Sequence, residues 1–125
     1  MNLKDTYYSL SSHLKENDND IFEVNMHSDH PVYEGHFPGM PVSPGVCNMQ
    51  MIKECTSIAI KKELYIDKIS MCKLSALMSP IDNPKVYIKI KNNIIEDNKY
   101  QITATIEDDV TIFMTFKGEL KEKEL

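Results

Sequence analysis

One segment of this 125-residue chain, from about Pro44 to Lys62, has the periodicity of a long helix with an unusually wide apolar surface. At about 100° per residue, its apolar side chains leave one narrow polar stripe. The stripe consists of Gln50, Lys53, Glu54, Ser57 and Lys61. At 1.5 Å per residue, such a helix is about 27 Å long. A helix with so little polar surface has to be covered by other structure, so the sequence predicts one central helix packed against a sheet.

Most of the remaining chain alternates between apolar and polar residues, as strands do. The alternating segments are residues 8–14, 22–26, 86–90, 100–106 and 112–116. The first two favour a hairpin, although a helix over residues 3–15 is an open alternative. Residues 28–43 predict a structured loop, and residues 64–78 form one long mixed segment. Short turns after residue 78 favour an antiparallel meander.

These elements predict a single α+β domain over residues 1–125, with five to six antiparallel strands wrapped around the helix. We expect a frayed charged tail from about residue 120.

Composition excludes several classes of function. The net charge is −5 and the chain contains no arginine, the side chain best suited to phosphate and base-edge readout, so we expect no nucleic-acid partner. No apolar run approaches the ~20 residues of a membrane span, and the first residues do not resemble a signal peptide. The three cysteines lack metal-type spacing and predict buried thiols in a reducing cytoplasm. The histidines of the loop match no zinc pattern, so we expect no metal site.

The loop before the helix carries the residues that point to chemistry. His36 precedes a Pro38-Gly39 turn, and Pro44-Gly45 opens the helix a few residues later. The free N–H groups at a helix N-terminus can hold a carbonyl oxygen. An imidazole, with an ordinary pKa of about 6.5, is a suitable proton acceptor at neutral pH. The arrangement indicates acyl chemistry, although His36 could also do no more than hydrogen-bond its neighbours.

Three motifs in this loop resemble the signature of the 3-hydroxyacyl-acyl-carrier-protein dehydratases of bacterial fatty-acid synthesis. They are His36-Phe37-Pro38-Gly39, Pro41-Val42 and Pro44-Gly45-Val46. The resemblance extends to residues 66–68 and 79–82 and covers nearly the whole chain, except for the family's N-terminal helix. It implies the hotdog fold. It also implies elimination of water from a 3-hydroxyacyl thioester to give a trans-2-enoyl thioester, with two active sites at a dimer interface.

The resemblance also implies the partners and the residue roles. His36 is the base that removes the α-proton, and the N–H of Gly45 polarises the thioester carbonyl. The carboxylic acid that helps the hydroxyl group leave comes from the helix of the other subunit. The substrate rides on the phosphopantetheine of an acyl carrier protein or on coenzyme A, so no other cofactor is implied. The expected substrate-binding residues are Phe37, Pro38, Gly39 and Val46.

The chain departs from the family at the acid. The family's Glu or Asp falls fourteen residues after the histidine, and here that position is Gln50. An amide has no proton to give to a leaving hydroxyl group. One helical turn later, where the family often has a glutamine, this chain has Glu54. The two side chains are spaced i and i+4, so they can hydrogen-bond to each other.

This exchange leaves several interpretations open. Glu54 acts through Gln50 or a water molecule, or the acid comes from a different hotdog subunit in a heterodimer. In a third interpretation dehydration is lost, which leaves a thioesterase or a non-catalytic subunit that binds an acyl carrier protein or its acyl chain. In a fourth, Glu54 is only a solvated surface charge. The oligomer expected from the resemblance is a homodimer or larger, or such a heterodimer.

Overall fold

The structure, a computed structural model, describes residues 2–124 and contains one α-helix and one six-stranded sheet within them. The helix α1 spans Gly45–Ile60. The strands are β1 (Tyr8–Glu16), β2 (Asn19–Met26), β3 (Leu64–Leu74), β4 (Lys85–Glu96), β5 (Lys99–Glu107) and β6 (Ile112–Glu122). All neighbouring strands are antiparallel, and their order across the sheet is β1-β2-β4-β5-β6-β3.

The predicted hairpin is present as β1 and β2, so the helical alternative for residues 3–15 is wrong. The meander is correct for β4, β5 and β6 but not for β3. β3 pairs with β6 at the far edge of the sheet, and β4 pairs with β2 instead. The cause is α1, which links β2 to β3 and carries the chain across the face of the sheet. β1 and β3 are therefore the two edge strands.

The helix lies within the core, as its wide apolar surface predicts. Its buried apolar residues, Cys47, Met51, Ile52 and Cys55, belong to the same buried cluster as the inward-facing residues of the sheet. The helix ends where Lys61 adopts a left-handed conformation with φ of 64°, and the Lys61 N–H donates to the Ser57 carbonyl over 2.8 Å. The polar residues Asn48 and Thr56 are also buried on α1.

The predicted loop contains a short helix, and the predicted tail is more ordered than the sequence suggests. A 3-10 helix, Pro31–Glu34, lies within the loop of residues 28–43. The charged tail expected to fray from about residue 120 instead continues β6 as far as Glu122. There Lys121 pairs with Tyr65 of β3, and the Lys123 N–H donates to the Glu63 carbonyl over 2.8 Å. The backbone bonds of β3 hold this segment despite its charge. Leu125 lies outside the described residues.

Candidate active site

A closed turn holds His36 at its base. The N–H of Phe37 donates to the Met40 carbonyl over 3.1 Å, and the N–H of Met40 donates back to the Phe37 carbonyl over 2.9 Å. Gly39 has a φ of 76°, which suits the glycine that follows proline in a type II turn. The N–H of Val42 donates to the His36 carbonyl over 3.0 Å, and the His36–Phe37 peptide bond is cis. These hydrogen bonds hold the His36 carbonyl and the backbone that follows it.

The imidazole of His36 is half-buried and stacks on the ring of Phe37, with 4.2 Å between ring centroids and 24° between ring planes. Within residues 2–124 it makes no hydrogen bond. The alternative in which His36 only hydrogen-bonds its neighbours is therefore unsupported. Both ring nitrogens are available to a ligand.

The start of α1 presents unpaired N–H groups. Pro44 is the N-cap and offers no side-chain hydrogen bond, while its carbonyl accepts from the N–H groups of Cys47 and Asn48, each over 3.0 Å. Among the residues that the structure describes, none accepts from the N–H of Gly45 or Val46. These two groups carry the positive end of the helix dipole and can hold an oxygen that develops negative charge.

His36 and Gly45 line the same cleft, which has a volume of about 320 Å³. Its other wall is the segment from Leu74, the last residue of β3, to Met78. Leu74 approaches Gly45 so closely that a Cβ on the glycine would lie 3.3 Å from Leu74 Cδ1. A side chain at residue 45 would therefore press on the Leu74 side chain, which would have to shift by a few tenths of an ångström. The structure brings together the predicted base and the predicted oxyanion donor.

Two further cleft residues, Ser43 and Asn48, were not predicted from the sequence. Both are buried, and the Ser43 hydroxyl donates to Asn48 Oδ1 over 2.6 Å. One signal in the sequence could have found Asn48. It stands three residues after Gly45, on the same helical face, and is polar in a helix that is otherwise apolar in this region.

Glu54 and Gln50 lie outside the cleft that His36 and Gly45 line. Glu54 is only 9% exposed, so the interpretation as a solvated surface charge is wrong. Its Oε2 accepts from the Leu3 N–H over 2.8 Å and from Gln50 Nε2 over 2.7 Å. Its Oε1 accepts from the Lys4 N–H over 2.9 Å and from the Tyr8 hydroxyl over 2.8 Å. The predicted i, i+4 bond between the two side chains is confirmed.

These four bonds determine what Glu54 can do. Each carboxylate oxygen already accepts two hydrogen bonds, which is the full capacity of an ionised carboxylate. A proton on either oxygen would face a donor and break at least one bond. The carboxylate of Glu54 therefore anchors the N-terminal segment to α1. The geometry speaks against the interpretation in which it serves as an acid through Gln50.

The expected substrate-binding residues fall outside the cleft of His36. Phe37, Pro38 and Gly39 line a separate, open depression beside the 3-10 helix. Val46 is 63% exposed on the first turn of α1. These positions remain predictions, since a bound acyl chain or a second subunit would be needed to cover them.

The part of the chain that the structure describes contains neither a metal-ligand cluster nor a membrane-spanning helix. Residues 2–124 contain no group of three or more His, Cys, Asp or Glu side chains placed to hold a metal ion. No helix in that range is long and apolar enough to cross a membrane.

Comparisons with known proteins show which family and which fold the chain shares. The family model of the ApeI-like proteins, described as ApeI dehydratase, matches residues 12–115. The 3-hydroxyacyl-acyl-carrier-protein dehydratase FabZ of Rickettsia massiliae is 24% identical over 107 residues, which covers 79% of this chain and 74% of that protein. FabZ of Rickettsia canadensis is 25% identical, with 79% and 75% covered.

Solved structures share the fold. The dehydratase heterocomplex ApeI:P from Xenorhabdus doucetiae matches with a TM-score of 0.70 and 14% identity, covering 92% of this chain and 98% of that chain. A structure from work on dehydratases of type I polyketide synthases matches with a TM-score of 0.54 and 12% identity, covering 97% of this chain and 46% of that one. The sheet wrapped on one helix is thus the hotdog fold that the sequence predicts. The chain is a dehydratase-like hotdog protein and belongs to the ApeI-like dehydratase family.

Proposed function

We propose that this protein eliminates water from a 3-hydroxyacyl thioester and that it contributes the base and the oxyanion donor of the site. The observation that carries the proposal is the shared cleft of His36 and the free Gly45 N–H. His36 takes the α-proton of the substrate, and the electron pair left behind moves onto the thioester oxygen, which the Gly45 N–H stabilises. The electron pair then forms the α,β double bond as the hydroxyl group leaves.

The leaving hydroxyl group needs a proton to depart as water, and we propose that a second hotdog subunit supplies it. Gln50 has no acidic proton, and the carboxylate of Glu54 is occupied by four donors. The ApeI:P dehydratase with the same fold is a heterocomplex. The cleft wall is also apolar and open, since Leu74 is 59% and Leu77 is 78% exposed. An exposed apolar rim of this kind suits a subunit interface.

The substrate would arrive on an acyl carrier protein or on coenzyme A, because the phosphopantetheine arm of either presents a thioester to a cleft of this size. A thioesterase fits less well, since it needs a carboxylate to activate water. None of the residues that line the cleft, all within residues 2–124, is acidic. A non-catalytic subunit is the second candidate, and it is favoured by one observation, the amide at residue 50.

The test is turnover of a 3-hydroxyacyl carrier-protein thioester, followed by mass spectrometry as loss of water. The chain would be assayed alone and together with a second hotdog protein that co-purifies with it. We expect turnover in the complex and a loss of about 10²- to 10⁴-fold in His36→Ala. The melting temperature should fall only slightly, because the imidazole makes no hydrogen bond among the described residues and its removal loses only the stacking contact with the exposed Phe37 ring.

His27→Ala is the matched control, because among the described residues that side chain bonds only Thr6 and Ser9, and it lies outside the cleft. Full turnover in His36→Ala would overturn the base assignment. Full turnover by the chain alone would overturn the assignment of the acid to a partner. A complex that binds the acylated carrier protein without turnover would identify the non-catalytic subunit.

A further inference from the structure

Asn48 is a buried polar side chain in the candidate active site that the reaction above does not use. It is only 2% exposed, yet it lines the cleft together with His36 and Gly45. A buried amide is costly unless its donors and acceptors find partners. Oδ1 has one, the Ser43 hydroxyl at 2.6 Å. Within residues 2–124, the Nδ2 group has no acceptor.

A chain of hydrogen bonds fixes the orientation of this amide. The Ser43 hydroxyl gives its only proton to Asn48 Oδ1, so its bond with the Tyr7 hydroxyl uses the Tyr7 proton. Burial raises the pKa of the Tyr7 phenol, which keeps it protonated and able to donate. The Ser43 backbone is held in turn, because its N–H donates to the Met78 carbonyl over 2.7 Å. The amide oxygen is thereby turned toward Ser43, and the Nδ2 protons are left for the cleft.

The position of Asn48 on α1 places its amide donor near the N–H group of Gly45. Residue 48 is three residues after Gly45 and thus lies on the same face of the helix. Helical side chains lean toward the helix N-terminus, so the amide of Asn48 reaches back toward the free N–H groups of the first turn. Two donors therefore face one cleft, one from the backbone and one from a side chain.

We propose that Asn48 Nδ2–H is a second oxyanion donor, which holds the thioester oxygen of the substrate together with the Gly45 N–H. The assignment rests on the proposed enolate chemistry of this cleft. No proton is transferred in this contact. The amide stabilises the negative charge that moves onto the oxygen while His36 holds the α-proton. A neutral, fixed donor in a buried cleft is effective because it needs no reorganisation as the charge develops. Ser43 is a positioning residue that acts through Asn48.

The test uses variants that separate donation from folding. Asn48→Asp keeps the volume and the oxygen that Ser43 bonds, but replaces the donor by an acceptor. Asn48→Leu removes the whole amide. Ser43→Ala leaves the donor in place but releases its orientation. Thr56→Val is the matched control, because Thr56 is buried on the same helix and, within residues 2–124, its hydroxyl bonds only the Ile52 carbonyl. The melting temperature of each variant is measured beside its kinetics.

Two rates are followed. The first is dehydration of a 3-hydroxyacyl thioester, with kcat and KM determined separately. The second is exchange of the α-hydrogens of a saturated acyl thioester in D2O, which needs the base and the oxyanion donors but no leaving group. We expect kcat and the exchange rate to fall about 10²- to 10³-fold in Asn48→Asp. Ser43→Ala should have a smaller loss, and Thr56→Val should keep both rates.

The outcomes separate this assignment from the proposed function. Equal rates in the wild type and in both Asn48 variants would overturn the role of Asn48, as would a rise in KM alone. Exchange that depends on Asn48, without dehydration by the complex with the co-purifying hotdog protein, would support the oxyanion donor and overturn the dehydratase. A wild-type complex that neither exchanges nor dehydrates would remove both proposals.

Discussion

Substitution of Glu54 is the sharpest test of whether the carboxylate on α1 has a structural or a catalytic role. In Glu54→Ala, four donors lose their acceptor at once: two backbone N–H groups of the N-terminal segment, one phenol and one amide. The bonds from the Leu3 N–H and the Tyr8 hydroxyl are buried, so water cannot replace the lost oxygen there. The other two donors are partly buried and can be hydrated at lower cost.

The two buried donors set the magnitude. Each buried donor left without a partner costs about 1–3 kcal/mol, so Glu54→Ala should lower the free energy of unfolding by about 2–6 kcal/mol. That is a large share of the total of about 5–15 kcal/mol for a typical protein. At about 4 °C per kcal/mol for a chain of this length, the melting temperature should fall by about 8–24 °C. Glu54→Gln keeps one acceptor oxygen and should fall by less.

The assay is thermal and urea unfolding beside turnover. Glu63→Ala is the matched control, because that glutamate is exposed and its carboxylate makes no hydrogen bond or ion pair among residues 2–124. An anchoring role predicts lower stability in Glu54→Gln, with turnover kept wherever the variant is folded. Unchanged stability together with lost turnover would refute the anchor and restore Glu54 as the acid.

Three shorter predictions concern other parts of the molecule. Cys72 is exposed, not buried as the sequence predicted, and in the native protein it alone of the three cysteines should react with a thiol reagent, because burial raises the pKa of Cys47 and raises that of Cys55 to about 12; three reactive thiols per native chain would contradict this. Gly118→Ala should cost about 1–3 kcal/mol in urea unfolding, since its Cβ would lie 2.4 Å from a carbonyl oxygen of β3. Gln50→Glu should lower the melting temperature, because it exchanges a donor to Glu54 for a second carboxylate; a more stable variant would contradict that.

The fold was predictable where each strand has one buried face. β2 and β5 alternate regularly between buried and less buried residues, and that period is visible in the sequence. The place of β3 was not predictable. It is an edge strand with few buried residues, and its pairing with β6 shifts register twice, between Ile66 and Lys68 and between Ile69 and Met71. Each shift breaks the alternation, so residues 64–78 read only as a mixed segment.

The candidate site likewise has one part that was predictable from the sequence and one part that was not. His36 and Gly45 are nine residues apart, and a local turn and a helix start determine how they meet. The burial of Glu54 depends on Leu3, which is 51 residues away, and the sequence pattern of α1 contains no trace of that contact. The orientation of Asn48 depends likewise on Tyr7 and Ser43. Long-range hydrogen bonds of this kind decide which polar residues of a helix are active and which are structural.

The amide at residue 50 and the carboxylate at residue 54 have one common cause. The N-terminal segment brings the N–H groups of Leu3 and Lys4 to α1, and an acceptor must meet them there. Glu54 is that acceptor, and with two oxygens it also accepts a hydrogen bond from the Gln50 amide, one turn earlier on the helix. Residue 50 then has to be a donor, because a carboxylate there would repel Glu54 and leave its Oε2 one bond short. The amide at residue 50 is therefore coupled to the way the N-terminal segment is held. A glutamate placed at residue 50 alone would have the negative charge of Glu54 beside it and would not have the environment of an acid.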